Sequence, residues 1–297
     1  MRILVTGATG FIGGAIAKEL LHRRHNPIGL ARSASSADAL LDAGLDVHRG
    51  DITDPESVTS AVDEVDAVIH TAFNHDFSRY TASCREDGQL LNALARKLVG
   101  ANKTLIAASA TIVGRTGSPI TEQNAASEQI PRSSSEAFLS YADDGVRTGV
   151  VRLPPTVHGD GDTAFIPALT ALAREHGVSA YPGDGSNRWP AVHRDDAARL
   201  FCDAVEQGRH DARYHAVAET GIAFRTIAEA IGEGLGVPCE RIPNDQAESH
   251  FGWLAMFAAL DNPASSEWTQ ETTGWAPREM GLISNMRNVD YFNTPSL

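Results

Sequence analysis

Three glycines near the amino terminus have the spacing of a phosphate-binding turn. Gly7, Gly10 and Gly13 separate an apolar, strand-like run, RILVT (2–6), from an amphipathic helical pattern that begins at 11. Gly7 permits a tight exit from the strand, Gly10 allows close backbone approach to a pyrophosphate, and Gly13 allows close packing of the helix. The free N–H groups at the helix start would then face the phosphates. The pattern predicts a dinucleotide site, the alternative being a structural turn in a sheet that binds nothing.

The second strand-like run indicates which dinucleotide would bind. It ends in GLARSASS, so that Arg32 and Ser33 stand where an NAD-binding fold usually has an acidic residue. An arginine can grip a ribose 2′-phosphate with two hydrogen bonds and stack on adenine, whereas an acid would repel that phosphate. The sequence therefore predicts NADP(H). The alternative role for Arg32 is a solvated loop cation.

Strand-like and helical runs alternate through the first half of the chain, as they do in successive βα units. The short β-rich runs occupy 2–6, 26–32, 45–51, 66–72, 102–109 and 146–154. Helical patterns separate them, including one around 80–99 and one near 133–144. Connections of this length give parallel strands with right-handed crossovers and helices on both faces. The predicted fold class is α/β, with a Rossmann-type doubly wound parallel sheet.

The pattern of strand-like runs, helical runs and loops changes after about residue 155. The loops PTVHGDGDT and YPGDGSNRWP are rich in Gly, Pro and Asp, and the later helical runs are separated by only short strand-like pieces. We interpret 1–155 as an NADP-binding domain. Residues 156–297 are interpreted as a mixed region that completes the sheet and forms a smaller, mostly helical C-terminal substrate lobe.

Short motifs spread over nearly the whole chain carry a family resemblance. TGATGFIGG, HTAF, ASATIVG, VRLPPTVHG, AVHRDDAARL and TTGWAP occur in this order. With them the chain resembles the extended short-chain dehydrogenase/reductase family, which includes nucleotide-sugar epimerases, dehydratases and related reductases. The resemblance implies the nucleotide-binding fold and says little about the substrate.

The resemblance also implies positions for the cofactor contacts. Asp51 matches the family residue that contacts the adenine amino group, Ile52 lies beside the ring, and 71–73 match the backbone that passes the ribose. The full set of expected cofactor-binding residues is Gly7, Thr9, Gly10, Phe11, Ile12, Gly13, Arg32, Ser33, Asp51, Ile52, Thr71, Ala72, Phe73, Leu153 and Pro154.

The proton-transfer residues of that family are matched only in part. In the family, a Ser or Thr after the fifth strand holds the substrate oxygen, and a tyrosine moves the proton with its pKa lowered by a nearby lysine. Ser109 matches the first position, and Thr111 follows two residues later. The lysines of the chain are Lys18, Lys97 and Lys103, so none follows Ser109. The usual tyrosine–lysine pair is therefore absent, and Ser109 could also simply cap the strand end.

Two alignments of the missing pair stay open. One puts Arg132 and Glu136 at the tyrosine and lysine positions, and the other puts Glu128 and Arg132 there. Neither contains a tyrosine. Tyr141 is rejected as a substitute, because Gly145 follows four residues later and too few residues remain before the sixth strand to complete the helix.

Other side chains could replace the missing proton donor. His75 and Asp76 directly follow the fourth strand, at the edge where α/β sheets bind ligands, and an imidazole titrates near neutrality. The alternative interpretation is that Asp76 is the N-cap of a helix and that His75 is exposed to solvent. His158 lies where relatives often carry a tyrosine, and its alternative is a hydrogen-bonded structural histidine. His193 resembles a family histidine that is chiefly structural, and Arg132 could replace the charge of the lysine. The catalytic candidates are Ser109, Thr111, His75, Asp76 and His158.

Composition limits the other classes of function. The formal charge of −13 argues against a nucleic-acid surface. Three scattered cysteines without CxxC spacing argue against disulfides and a zinc site, and no apolar run approaches the roughly 18 residues of a membrane span. HGDGD (158–162) lacks the frame of an EF-hand calcium loop. We expect a cytoplasmic protein without a metal, a membrane or a nucleic-acid partner.

The combined features predict an NADP(H)-dependent oxidoreductase with a non-standard proton donor. Its substrate would be a small, apolar carbonyl or alcohol, because the segment HFGWLAMFAALDNPASS (250–266) is aromatic and weakly charged. Apolar and aromatic residues in such a segment most often belong to the protein core. The second interpretation is that they line an apolar pocket. The alternative functions are a non-catalytic NADP-binding sensor and a nucleotide-sugar epimerase or dehydratase. A homodimer is one candidate assembly.

Overall fold

The computed structural model of the chain describes residues 1–112, 119–289 and 291–292. The motif ASATIVG therefore ends outside the described residues, at 113 and 114. Among the helices of the described residues, none is both long and apolar enough to cross a membrane. The same residues contain no cluster of three or more His, Cys, Asp or Glu side chains that could hold a metal ion.

The strands and helices are numbered here in chain order. The strands are β1 Arg2–Thr6, β2 Asn26–Ala31, β3 Asp46–Arg49, β4 Ala67–His70, β5 Thr104–Ala110, β6 Arg147–Leu153, β7 Thr156–His158, β8 Ser179–Pro182, β9 Arg188–His193, β10 Ala212–His215, β11 Glu219–Ala223 and β12 Cys239–Ile242. The α-helices are α1 Phe11–His22, α2 Ala34–Asp42, α3 Pro55–Thr59, α4 Tyr80–Leu98, α5 Phe165–His176, α6 Arg194–Gln207, α7 Phe224–Leu235, α8 Ala247–Phe251, α9 Ala255–Ala258, α10 Glu267–Thr273 and α11 Leu282–Asn288.

The main sheet of the described residues contains seven parallel strands in the order β3-β2-β1-β4-β5-β6-β10. Strand order reverses between β1 and β4, and ligands of such sheets bind beyond the carboxyl ends of the strands at this point. The predicted Rossmann-type α/β fold is confirmed. β10 lies next to β6, so the second half of the chain supplies the last strand of the sheet.

Both faces of the sheet are covered, which explains why its strands read as continuous apolar runs rather than alternating ones. Helices α1, α2 and α6 pack on one face, where Ile16 of α1 and Phe201 of α6 are fully buried in the same core cluster. Helix α4 packs on the other face, where Leu91 and Leu94 share a core cluster with Phe138.

The predicted helix near 133–144 is a 3-10 helix over Pro131–Asp144. It ends at Gly145, whose φ of 81° places it in the left-handed region that glycine adopts without strain. It packs against α4. Tyr141 lies at the margin of the core cluster on this face, away from the carboxyl edge of the sheet.

The carboxy-terminal half forms a lobe over the carboxyl edge of the sheet. Its short strands pair as β11-β9-β7 and as β12-β8, and α5, α7, α8, α9 and α11 surround them. A separate core cluster fills this lobe, with Trp189, Phe224 and Leu254 fully or almost fully buried. Much of the aromatic segment 250–266 therefore belongs to this core, as its structural interpretation required.

Candidate active site

One cleft runs along the carboxyl edge of the sheet and under the carboxy-terminal lobe. Its volume is about 1180 Å³. The glycine turn after β1 forms one end, and aromatic side chains of the lobe form the other. Cofactor and substrate sites of α/β proteins lie in this position. The cleft therefore brings together most of the residues that the sequence assigned to the cofactor and to the substrate, with Ser33 and His158 outside its lining.

The glycine turn has the shape that a pyrophosphate needs. Gly7 has a φ of 74°, and a Cβ atom on Gly13 would collide with the carbonyl oxygen of Gly7. Gly10 is the N-cap of α1, and no side chain caps this helix. The first backbone N–H groups of a helix have no partner within the helix, and they attract anions. The turn therefore offers uncovered donors and a backbone that a phosphate can approach.

The end of the cleft that the sequence assigned to adenosine contains Arg32, Asp51 and Ile52. Arg32 is exposed at the rim and forms no hydrogen bond or ion pair with the other described residues. Asp51 accepts hydrogen bonds from the backbone and the hydroxyl of Thr53, which lower the pKa of its carboxyl. Ser33 does not line the cleft, because its side chain caps α2 through Ser36.

The other residues that the sequence assigned to the cofactor all line the cleft. They are Gly7, Thr9, Gly10, Phe11, Ile12, Gly13, Arg32, Asp51, Ile52, Thr71, Ala72, Phe73, Leu153 and Pro154. Backbone N–H groups of Thr71 and Ala72 also donate to the hydroxyl of Thr6 at the end of β1. These two bonds tie the backbone at 71 and 72, which lines the cleft, to the end of β1.

Ser109 lies in the middle of the cleft, and its hydroxyl is tied to a carboxylate. Its Oγ donates to Oε1 of Glu136 over 2.9 Å. Glu136 is in turn held by Nε and Nη2 of Arg152, at 2.8 and 2.7 Å. Arg152 is fully buried and also donates to Nε2 of His215. Burial and the charge of Arg152 lower the pKa of His215 to about 3, so its ring is neutral and can accept that bond.

A second buried network ends at Arg132, whose side chain also lines the cleft. Arg132 donates to Oδ2 of Asp87 over 2.9 Å and to the carbonyl of Ala108 over 2.8 Å. Its guanidinium carbon lies 4.3 Å from the centre of the Phe73 ring. The other carboxylate oxygen of Asp87, Oδ1, forms a hydrogen bond of 2.9 Å with Nε2 of His70. Although burial opposes the charge of Asp87, Arg132 and His70 keep the pKa of this carboxyl below its usual value.

These contacts distinguish the two alignments of the missing pair. Arg132 and Glu136 lie four residues apart on the 3-10 helix, and both side chains reach the end of β5, where Ala108 and Ser109 stand. Glu128 lies before the start of that helix. The geometry favours the alignment in which Arg132 and Glu136 occupy the tyrosine and lysine positions.

Thr111 also lines the cleft and is oriented by a neighbour from the lobe. Its Oγ1 accepts a hydrogen bond of 2.9 Å from Nδ2 of Asn262. Because a hydroxyl carries one proton and accepts through its lone pairs, this contact leaves the proton of Thr111 available.

His75 and Asp76 form part of the rim of the cleft. The His75 ring packs edge-on against Phe73, with ring centres 5.3 Å apart. Partial burial and the positive charge of Arg132 hold the pKa of His75 below its usual value. The Asp76 carboxylate accepts from the backbone and hydroxyl of Ser78, which lower its pKa. Asp76 thus has the N-cap geometry considered as its alternative, and His75 is an exposed residue on the rim of the cleft.

His158 is a fully buried residue outside the lining of the cleft. Its Nδ1 lies 3.1 Å from Oδ1 of Asn285 in α11, and its ring packs edge-on against His193. His193 caps α6 by accepting from the backbone of Asp195. Both histidines have the hydrogen-bonded, structural positions that the sequence left as one alternative for each.

A wall of aromatic rings closes the far end of the cleft. Phe77 stacks on Trp253 with ring centres 4.5 Å apart, and Phe165 contacts Phe257 at 4.9 Å. Tyr80 stacks on Phe77 at 5.9 Å and also lines the cleft. Burial raises the pKa of Tyr80 to about 12, so this phenol lacks the acidity of an activated tyrosine.

Comparison with known proteins places this cleft in a family. Residues 3–217 match the NAD dependent epimerase/dehydratase family. The chain belongs to that family. Its members share the nucleotide-binding architecture described above, and the resemblance found in the sequence is confirmed.

Individual relatives agree with this assignment. An uncharacterized protein of Schizosaccharomyces pombe is 44% identical over 98% of this chain and 100% of its own length. The 2-alkyl-3-oxoalkanoate reductase of Stenotrophomonas maltophilia is 28% identical over 69% of this chain and 66% of its own. The solved dTDP-glucose 4,6-dehydratase of Streptomyces venezuelae, with NAD bound, superposes with a TM-score of 0.78 at 21% identity, covering 97% of this chain and 96% of its own. The family and its members indicate an NAD(P)-dependent enzyme.

Three residues that contact the site were not predicted from the sequence: Asp87, Arg152 and Asn262. Each contacts a candidate residue from a distant part of the chain, as Asn262 does with Thr111. Asp87 lies on the buried face of α4 between apolar residues. A charged residue at such a position in a helical pattern is the available signal for a buried pair.

Proposed function

We propose that this protein is an NADP(H)-dependent oxidoreductase that transfers hydride to or from a small, apolar carbonyl or alcohol substrate. The observation that carries the proposal is the single cleft. It contains the phosphate-binding turn at one end, Ser109, Thr111, His75 and Arg132 in the middle, and an aromatic wall at the other. When bound, the nicotinamide supplies or accepts the hydride. The residues of the chain must then bind the substrate oxygen and handle a proton.

The preference for NADP(H) over NAD(H) rests on Arg32. Its side chain lies at the rim of the adenosine end, and the end of β2 bears Arg32 and Ser33 instead of an acid. Because Arg32 forms no hydrogen bond with the other described residues, its guanidinium can bind the 2′-phosphate with two charge-assisted hydrogen bonds. The carboxylate of Asp51 is occupied by Thr53 and lies at the position assigned to the adenine amino group.

The proton donor in this proposal is His75. The carboxylate of Asp76 is held by Ser78 and stays ionised near neutral pH, which makes it a poor acid. The neighbouring imidazole lies on the cleft, and in its protonated form it can give a proton to the substrate oxygen. Asp76 then serves to fix the loop that carries His75.

The lining of the substrate half favours an apolar substrate over a nucleotide sugar. Phe77, Phe165, Trp253 and Phe257 form its wall. Among the described lining residues of this half, Arg132 is the sole Arg or Lys, and it is already paired with Asp87. A diphosphate would need further cationic donors. The aromatic rings instead offer apolar surface and stacking faces.

The test is turnover of NADPH with a panel of ketones, aldehydes and quinones, followed through absorbance of the reduced nicotinamide. We expect His75→Ala to lower turnover far more than NADPH affinity, while Asp76→Asn has a smaller effect. Equal turnover in wild type and both variants would remove this loop from the mechanism.

A second candidate is a non-catalytic NADP-binding sensor, which the commitment of the Ser109 hydroxyl to Glu136 favours. Tight NADPH binding without turnover across the whole panel would select this candidate.

The division of the chain at residue 155, a cytoplasmic location and a homodimer are further parts of the proposal. Light scattering of the purified protein during size exclusion would test the dimer. A mass equal to one chain, 31.7 kDa, would contradict it.

A further inference from the structure

We propose that Arg132, aimed by Asp87, binds the substrate oxygen and stabilises the negative charge that develops on it, a task that Ser109 cannot perform here. The inference rests on the proposed function, because it assigns a residue of that same site. It concerns a different half of the cleft from the one that binds the dinucleotide.

The hydroxyl proton of Ser109 is already used in a hydrogen bond to Glu136. A carboxylate only accepts hydrogen bonds, so the 2.9 Å contact with Glu136 uses the single proton that Ser109 has. Glu136 cannot turn away, because Arg152 holds both of its oxygens. One lone pair of Ser109 faces the Ser135 hydroxyl, 3.0 Å away, so toward the cleft Ser109 can at most accept one further hydrogen bond. A carbonyl oxygen needs a donor instead.

Arg132 can donate several hydrogen bonds through its guanidinium group. A guanidinium has five N–H groups, and two of them are used by Asp87 and the carbonyl of Ala108. That carbonyl belongs to the residue directly before Ser109, so Arg132 approaches the same point of the cleft. One face of the guanidinium is covered by Phe73. Asp87 and the carbonyl of Ala108 are the hydrogen-bond acceptors of Arg132 among the described residues, and Arg132 is one of the residues that line the cleft.

A chain of buried hydrogen bonds holds the guanidinium of Arg132 in place. Asp87 is almost fully buried, and His70 holds its other oxygen. Because ionised Asp87 accepts, Nε2 of His70 must donate, and Nδ1 forms a hydrogen bond with the hydroxyl of Thr6, 2.8 Å away. Thr6 accepts in turn from the backbone of Thr71 and Ala72. This chain of bonds links Arg132 to the backbone at 71 and 72. Asp87 is accordingly a positioning residue.

The chemistry that follows is a balanced reduction. With a reduced nicotinamide as the reductant, the carbonyl carbon gains hydride and the π electron pair of the C–O bond moves to oxygen. The alkoxide so formed lies against the N–H groups of Arg132 until it takes a proton from His75. Donors placed where charge develops stabilise the transition state more than the ground state. Arg132 thus acts as the hydrogen-bond donor that polarises the carbonyl group.

The test measures binding of benzoate, a planar aromatic anion, to the protein saturated with NADP⁺, and turnover with the substrates found in the panel. Arg132→Ala should weaken benzoate binding at least tenfold and lower kcat about 100-fold, with NADPH affinity retained. Added guanidinium chloride at millimolar concentration should restore part of that kcat. Arg132→Lys, which keeps the charge but loses the planar fork, should also weaken benzoate if the alanine variant fails to fold.

Three further variants make the outcome decisive. Ser109→Ala should leave benzoate affinity within a few-fold of wild type, and Asp87→Asn should weaken benzoate and lower kcat without changing the KM for NADPH. Arg287→Met, an exposed arginine of α11, is the matched control and should change nothing. The inference is overturned if wild type fails to bind benzoate, if Arg132→Ala binds it as wild type does, or if Ser109→Ala loses it instead. A failure to bind NADPH at all would contradict the proposed function, and it is read in a separate titration.

Discussion

The Ser109 hydroxyl donates a 2.9 Å hydrogen bond to the carboxylate of Glu136, across 27 residues of chain. The two residues lie at the end of β5 and on the 3-10 helix that packs against it. Glu136 is also paired with the buried Arg152, at 2.7 Å, so its charge is balanced within the core.

Removing the Glu136 charge should cost stability. Glu136→Gln leaves Arg152 buried without a counterion, and breaking one side of such a pair costs about 3–5 kcal/mol. Urea unfolding followed by circular dichroism measures the loss. Glu229→Gln breaks an exposed pair with Arg225 and should cost less than about 0.5 kcal/mol. Equal losses in the two variants would show that the buried pair has no special role.

Two adjacent glycines of α1 should respond differently to a methyl group. A Cβ atom on Gly13 collides with the carbonyl of Gly7, whereas on Gly14 the nearest atom is the Ala8 carbonyl oxygen at 3.4 Å. We expect Gly13→Ala to abolish NADPH binding or folding and Gly14→Ala to retain both. Thermal unfolding with and without NADPH measures this. An intact Gly13→Ala variant that binds NADPH would mean that the turn is looser than described.

The rate of carbonyl reduction should rise as pH falls. A donor must be protonated, and the pKa of His75 lies below its usual value of about 6.5 because of partial burial and Arg132. The rate should therefore still be rising below pH 6.5 and level off only below the lowered pKa. Initial rates between about pH 5 and 8 measure the profile. His75→Ala should flatten it, whereas Asp76→Asn should preserve it, and a profile unchanged in His75→Ala would identify another donor.

Stability should fall as pH rises through a separate group in the lobe. Burial raises the pKa of Asp162 to about 6, although Ala164 and the Tyr291 hydroxyl donate to it. The unfolded carboxyl titrates near 3.9, so the folded state binds more protons between about pH 4 and 6. The free energy of unfolding should thus decrease across this interval in wild type relative to Asp162→Asn. Parallel curves for the two proteins would contradict the shift.

Much of the fold was predictable from local sequence. The six predicted strands correspond to β1–β6, and the run 2–6 coincides with β1. Parallel strands buried on both faces produce apolar runs that are visible without knowledge of their neighbours. The sequence predicted that residues 156–297 complete the sheet but did not identify β10 as the strand, because ARYH (212–215) is short and contains three basic or titratable residues. Its place depends on pairing with β6.

The site was predictable where backbone geometry determines it and less so where side chains meet across the chain. The glycine turn and 71–73 are local features, and all of them line the cleft. Glu136 was considered only as an aligned position, because nothing local indicates a partner 27 residues earlier. His158 was placed near the substrate by resemblance, yet its neighbour is Asn285 from α11, which sequence spacing cannot reveal.

The central claim, a cleft for a phosphorylated nicotinamide dinucleotide, is tested most directly by calorimetric titration of the protein with NADPH and NADH. We predict one NADPH per chain, weaker binding of NADH, and an Arg32→Ala variant that loses about tenfold in NADPH affinity while NADH is hardly affected. No heat and no thermal shift with either dinucleotide would contradict the account.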